Sequence, residues 1–408
     1  MFTTTRTIKT PKAKTYKPQL LQKTTSRIQS IDLLRGIVMI IMALDHTRDY
    51  FHADVTLFMP DDLSQTSPIL FLTSWITHFC APVFVFLAGT SAFLSGQRKS
   101  KKELSVFLLT RGLWLILLEV TIINFGWSFN IRLPFIGLGV MWALGIGMIA
   151  LAAIIHLPKM IILATGTLIV FGHNLLDNIH FDGFFWSALH ESKIFRLDDS
   201  HLLRVAYPVL PWIGIIALGY CFGSLYTPEF PAAKRKKWLL SIGTAAIALF
   251  IILRAINFYG DPSLWSVQNS ATFTILSFLN TTKYPPSLLY TLMTLGPAII
   301  FLAFTEKALN GFTRAIIHIG RVPMFYYIFH IYLIHLLAMF AAEFSGFNWT
   351  DMILQRRTWN DPQLKGYGFS LEVTYLVWIG IVLLLYPLCK LYDKYKTAHK
   401  EKWWLSYL

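Results

Sequence analysis

The sequence predicts an all-α protein: a polytopic transmembrane helical bundle of about ten spans with both termini cytoplasmic. Three observations carry this. The 408 residues are 55% hydrophobic and only 14% charged, against about 25% charged in soluble domains. The apolar residues gather into ten runs, each near the ~20 residues needed to cross hydrocarbon. The Lys and Arg residues between the runs alternate between rich and poor segments.

The runs are 31–49, 69–94, 104–126, 135–156, 159–175, 203–226, 236–258, 285–305, 318–343 and 371–392. The fourth and fifth are divided at His156-Leu157-Pro158-Lys159, where proline breaks a helix. Segments on the amino-terminal side (1–30, 96–103, Lys159, 234–237, 306–321, 390–402) hold 24 Lys/Arg, and the opposite loops hold 8. Cytoplasmic loops carry the excess, so an even number of spans is expected. Residues 1–28 read as a basic, flexible cytoplasmic segment. Residues 29–395 form one membrane domain. The basic, aromatic tail 396–408 is expected at the inner interface.

The net charge of +14 lies in short clusters between apolar runs, which argues for membrane lipids and against nucleic acid as partner. Cys80, Cys221 and Cys389 each sit inside an apolar run without C-x-x-C spacing. They read as small buried hydrophobes, and no metal is expected. No apolar core with a cleavage site follows the basic start, so the first run is read as a permanent span.

The first run, LLRGIVMIIMALDHTRDYFH (33–52), concentrates the polar chemistry. Arg35 and His46 are eleven residues apart, about 16.5 Å of rise and three turns plus roughly 20°. They fall on one line, at opposite ends of the helix. Asp45, Asp49 and His52 follow i, i+4, i+7 spacing and share a face if the helix continues. Asp49 is i+3 from His46 and within reach of its ring. A carboxylate on one imidazole nitrogen makes the other a better base. The plainer reading is an arginine snorkelling at one end and an acidic cap at the other.

Other polar residues in or beside the runs form a second group. His78 lies in the outer half of the second run. Arg111 and Glu119 are eight residues apart on the third, which suggests either an intramembrane pair or a ligand contact for Arg111. Asn124 and Trp127 are placed at the outer mouth. Lys283 and Ser287 flank Pro285-Pro286 and offer donors. Arg314 and Arg321 lie in an inner connection, where they could bind phosphates or simply follow the inside-positive bias. His330 and His335 flank IYLI, and packing is expected for one of them.

RIQSIDLLRGIVMIIMALDH resembles the first catalytic helix of the heparan-α-glucosaminide N-acetyltransferase family and its bacterial relatives. HFCAPVFVFLAGTSAFLSG is similar to that family's Pro-x-Phe-Val-Phe-x-x-Gly-x-Ser segment. LLTRGLWLILLE, YPVLPWIGIIALGYCFG, KYPPSLLYTLMTLGP and GRVPMFYYIFHIYLIH are similar to its bacterial branch. Arg35 followed by His46 also matches the basic-x10-His signature of the related acyltransferase-3 family. The resemblance implies acetyl transfer from cytosolic acetyl-CoA to an extracytoplasmic acceptor, an amino sugar or another glycan amine or hydroxyl. It implies a bacterial inner membrane and suggests a homodimer. The catalytic asparagine of the heparan enzyme aligns with His46, and its catalytic histidine with Leu57. Either His46 or His52 is therefore the base, with Asp45 and Asp49 beside it. Arg35, Arg111, Arg314 and Arg321 become candidates for the CoA phosphates, and His78, Asn124, Trp127, Lys283 and Ser287 for the acceptor side.

A proton-coupled transporter of a small solute is the alternative. It calls for polar residues at midplane, in corresponding places of two halves. The single cluster at one end of the first run does not follow that pattern.

Overall fold

A computed structural model describes residues 28–306, 310–358 and 361–406. The basic segment expected over 1–28 lies, apart from Ile28, outside them. In chain order the helices are α1 (Gln29–Phe51), α2 (Pro68–Thr77), α3 (Cys80–Gly96) and α4 (Lys101–Leu118). A π-turn (Glu119–Ile123) carries α4 into α5 (Asn124–Ser128). Then come α6 (Val140–Ile154), α7 (Lys159–Gly172), α8 (Phe184–Leu189), α9 (Leu210–Phe222), α10 (Ala232–Ile256) and α11 (Ala271–Leu279). The last are α12 (Leu288–Phe304), α13 (Gly311–Arg321), α14 (Pro323–Phe344) and α15 (Leu371–Ala398).

Among the described residues, six helical segments are long and apolar enough to cross a membrane: Pro68–Gly96, Lys101–Ser128, Lys159–Leu176, Ala232–Ile256, Pro323–Phe344 and Leu371–Ala398. Val140–Ile154, Leu210–Tyr226 and Leu288–Phe304 are apolar but shorter. α1 has 23 residues and carries charge near both ends. On α4, Leu109, Leu113 and Leu117 stand exposed at i, i+4, i+8. A stripe of that kind faces lipid rather than water. The protein is a mostly helical, multi-pass membrane protein.

The structure departs from an all-α reading at one place. A small sheet contains β1 (Phe135–Leu138), β2 (Ile194–Arg196) and β3 (Leu202–Val205), with β3 in the centre. β1 pairs with it in parallel, Ile136 opposite Leu203, and β2 antiparallel, Phe195 opposite Leu203. The fourth and sixth apolar runs therefore begin as strands. Pro134, Gly137 and Gly139 disfavour helix at the first, and Pro208 and Pro211 delay the second helix to Leu210.

The second run breaks between α2 and α3. Pro82 has no N–H to offer the carbonyl of His78, four residues back. The Tyr290 hydroxyl of α12 donates to that carbonyl instead, at 2.7 Å. The break thus ties this segment to α12.

α1 lies centrally against α13, with backbone nearly touching backbone. A Cβ on Gly320 would sit 1.9 Å from Asp32 O, and one on Gly36 would sit 2.3 Å from Ile316 O. Glycine is the residue that allows such an approach. A continuous buried apolar cluster extends from Ile31 on α1 to Cys389 on α15. At the start of α1, residues of 97–99, 227–231 and 321 and Lys396 gather around one cavity. At its far end, residues of 54–61, 204–207, 280–284 and Arg357 gather around another.

Candidate functional site

The two cavities lie at opposite ends of α1. The first measures about 1810 Å³ and the second about 470 Å³. Arg35 lines the first and His46 the second, as their eleven-residue spacing on one unbroken helix requires. Arg35 donates from Nη1 to Asp32 Oδ1 (3.2 Å) and Gly320 O (3.4 Å), and from Nη2 to Ser91 Oγ (3.0 Å).

Four further residues near or in the His46 end line the second cavity: Asp45, Arg48, Asp49 and His52. The expected contact between Asp49 and His46 is replaced by another. Arg48, on the intervening residue, reaches both acids, with Nη2 2.7 Å from Asp45 and 3.0 Å from Asp49. Lys283 Nζ stands 3.8 Å from the other Asp45 oxygen. The carboxylates thus belong to a charge cluster beside the histidine.

The partner of His46 is His330 on α14, Nδ1 to Nε2 at 2.7 Å. His330 Nδ1 in turn lies 2.9 Å from the carbonyl of Tyr326. A carbonyl only accepts, so His330 carries its proton on Nδ1 and presents a lone pair at Nε2. His46 then donates from Nδ1, and its own lone pair is on Nε2. Trp127 meets the His46 ring edge-on at 4.7 Å between centroids, and the Arg357 guanidinium covers Trp127 at 4.5 Å. Tyr327 of α14 approaches the His46 ring at 6.2 Å.

His52 has the opposite tautomer. Its Nδ1 accepts the backbone N–H of Asp54 at 3.2 Å, so its proton sits on Nε2. Burial pushes this imidazole below its ordinary pKa despite the nearby Asp54 charge. His335, by contrast, has each ring nitrogen 2.8 Å from a carbonyl, of Gly126 and Met352, a packing arrangement.

The second group of sequence candidates separates. His78, Trp127 and Lys283 line the second cavity. Asn124 does not: its side chain is consumed by Glu119 O (2.6 Å) and by both backbone groups of Gly137 (3.0 and 2.8 Å). It joins the π-turn to β1. Ser287 is fully buried, caps α12 at Tyr290 N–H (3.0 Å) and donates to Asp261 (2.6 Å). Arg111 lines the first cavity and Glu119 the second. Their shared face does not place them at one site.

Arg321 also lines the first cavity, where its Nε reaches Asp32 at 3.4 Å and its Nη1 reaches Asp393 at 3.5 Å. Arg314 is exposed and outside that lining. Seven residues set it on the same face as Arg321 but about 10.5 Å away along the axis. Sequence reading did not assign Arg98, Lys99 and Arg235 to the first cavity; it noted Glu119 and His330 without placing them at the second site, and it counted Arg357 only as a loop charge. The first three were legible as inside-positive clusters. The others carry no local signal that assigns them to His46.

The cavities converge at one point. Tyr327 lines both. Met141 lines the first, while its backbone N–H donates to Glu119 Oε2 in the second at 2.9 Å.

No curated protein matches the chain. A family model described as heparan-alpha-glucosaminide N-acetyltransferase, catalytic, matches residues 27–265, more than half of it. The match includes Arg35, His46 and Trp127. Lys283, Tyr327, His330 and Arg357 lie beyond it, and the fold brings them to the same place.

Proposed function

The chain belongs to the heparan-alpha-glucosaminide N-acetyltransferase catalytic family and is a membrane enzyme of the acetyltransferase type; we propose that it transfers acetyl from cytosolic acetyl-CoA to an acceptor on the opposite side. The acceptor is an amino sugar or another glycan amine or hydroxyl.

The first cavity suits the donor. Arg35, Arg98, Lys99 and Arg111 line it, and guanidinium groups favour phosphate oxygens bidentately. Acetyl-CoA supplies a thioester carbonyl already activated toward attack. The pantetheine arm, on the order of 15–20 Å, is comparable to the ~16.5 Å rise from Arg35 to His46. Inside-positive loops surround this cavity, which supports placing it, both termini and an even set of ten crossings relative to a bacterial cytoplasm.

His46 is the base in this reading. Its Nε2 takes the proton of the attacking amine or hydroxyl, while His330 fixes the ring through Nδ1. His52 cannot do this from Nε2, where its own proton sits. Arg357 supplies a donor for the developing oxyanion: its Nη1 is buried without a hydrogen-bond partner among the described residues. An orphaned donor is costly until something negative meets it. Asp45, Asp49 and Lys283 set the field around the base and orient the acceptor.

The observation that carries the reading is the chain Tyr326 carbonyl, His330, His46, which leaves a lone pair at the second cavity. The test is His46→Ala. Transfer should fall by about 10²–10⁴, while acetyl-CoA still raises the melting temperature of the purified protein. His52→Ala should keep most activity. Full activity of the His46 variant would remove the proposed base. Two cavities meeting at a constriction also suit a proton-coupled carrier. A carrier would not be stabilised by CoA or acetyl-CoA in the same melting experiment.

A further inference from the structure

We propose that His173, Asp177 and His190 form a divalent-metal site, with zinc the ion that suits the donors best, and that the metal clasps an outer loop to the bundle. The three residues each offer one ligand atom, all within 4.8 Å of one another. His173 and His190 are 3% and 2% exposed. Both ring nitrogens of His173 are buried without a hydrogen-bond partner among the described residues. A neutral imidazole in that position has an unused lone pair, and a cation is the partner that takes it.

The other two ligands are already held. Asp177 Oδ2 accepts from Asn174 Nδ2 at 2.8 Å, and its Oδ1 stands 3.7 Å from His190 Nε2. His190 Nε2 donates to the His173 carbonyl at 2.8 Å, which leaves its lone pair for the metal on Nδ1, and the Trp186 ring stacks on it at 5.6 Å. Such outer-shell support is typical of metal-binding histidines. Two imidazoles and a carboxylate are a zinc donor set that leaves a fourth position open. Tetrahedral bonds of about 2.0–2.1 Å put ligand atoms about 3.3 Å apart, so small side-chain rotations close the set. The cysteine spacing that spoke against a metal does not bear on this site, which uses no sulfur.

The site is structural in consequence. None of its three residues lines the second cavity. His173 and Asp177 follow α7, and His190 caps α8. Ala188 O accepts from Val209 N–H and Ser192 Oγ donates to Val205 O, each at 2.8 Å. Tyr207, between those anchor points, does line the second cavity. The metal therefore fixes the loop that delivers Tyr207.

The test uses the full chain in detergent, purified without a histidine tag, stripped with a chelator and reloaded with Zn²⁺. Elemental analysis should find about one zinc per chain, and zinc should raise the melting temperature. Asp177→Asn and His190→Gln should each weaken zinc binding at least about tenfold and abolish the thermal shift. Co²⁺ in the stripped wild-type chain should give a saturable visible spectrum at one equivalent, without a sulfur charge-transfer band. Zinc uptake below about a tenth of an equivalent, or unchanged affinity in both variants, overturns the site. Should the variants fail to fold, the wild-type Co²⁺ titration decides it: no saturable spectrum, no site.

Discussion

His46 shows how a single side chain acquires a role from distant ones. Its position at the end of a polar string was legible in the sequence, and so was its alignment with Arg35. Its partner was not. Asp49 was the local choice at i+3, but Arg48 lies between the two acids in reach of both. The ring turns instead to His330, 284 positions away. Nothing in a linear pattern connects those two histidines, and Arg357 is equally remote. If His330 sets the His46 tautomer, His330→Leu should lower kcat by about 10–100-fold, as loss of an orienting partner does. The KM for acetyl-CoA should stay unchanged, because the proposed phosphate site is at the other end of α1. His330→Gln keeps an acceptor for Nδ1–H and should recover part of the rate. Steady-state kinetics on the two variants decides this, and equal losses would make His330 merely a packing residue.

At the level of helices and strands, the apolar runs located the long helices, which had hydropathy on their side, while α8, α11 and most of α13 fall outside every run. The misreadings cluster where proline and glycine sit at the start of a run. Residues 135–138 and 202–205 are apolar enough to count toward a span, yet each segment has only four residues and pairs as strand. Hydropathy alone cannot see that. The contact of α1 with α13 was equally hidden, because two glycines 284 residues apart make it. Gly320→Ala tests this element. The added methyl would overlap the Asp32 carbonyl, and overpacking of this kind costs roughly 1–3 kcal/mol. Thermal unfolding in detergent should show a clear drop in melting temperature. The KM for acetyl-CoA should also rise, because Arg35 donates to the Gly320 carbonyl and Arg321 is its neighbour. An unchanged melting temperature would mean that the two helices can part at no cost.

For the molecule as a whole, the decisive feature is that two unlike cavities share one junction. The first is large and lined by cations that alternate loops deliver to one face. The second is smaller, aromatic and mixed in charge. The charge alternation in the sequence suggests two different faces, but it could not reveal a cavity behind each, since cavities arise from how helices pack. Met141 and Tyr327 stand at the junction, and Met141 is rigidly set there because its N–H is bound to Glu119. A thioester arm passing from the first cavity to His46 must go by them. Met141→Trp adds bulk there while leaving Arg35, Arg111 and the His46–His330 pair unsubstituted. Acetyl-CoA should therefore still bind and stabilise the protein, while transfer to the acceptor falls by at least about 100-fold, a barrier increase near 2.7 kcal/mol. Met141→Leu, similar in volume, should behave as wild type. Normal transfer by the tryptophan variant would show that the acyl group reaches the far side by another path, and the two cavities would then have to be read as separate sites.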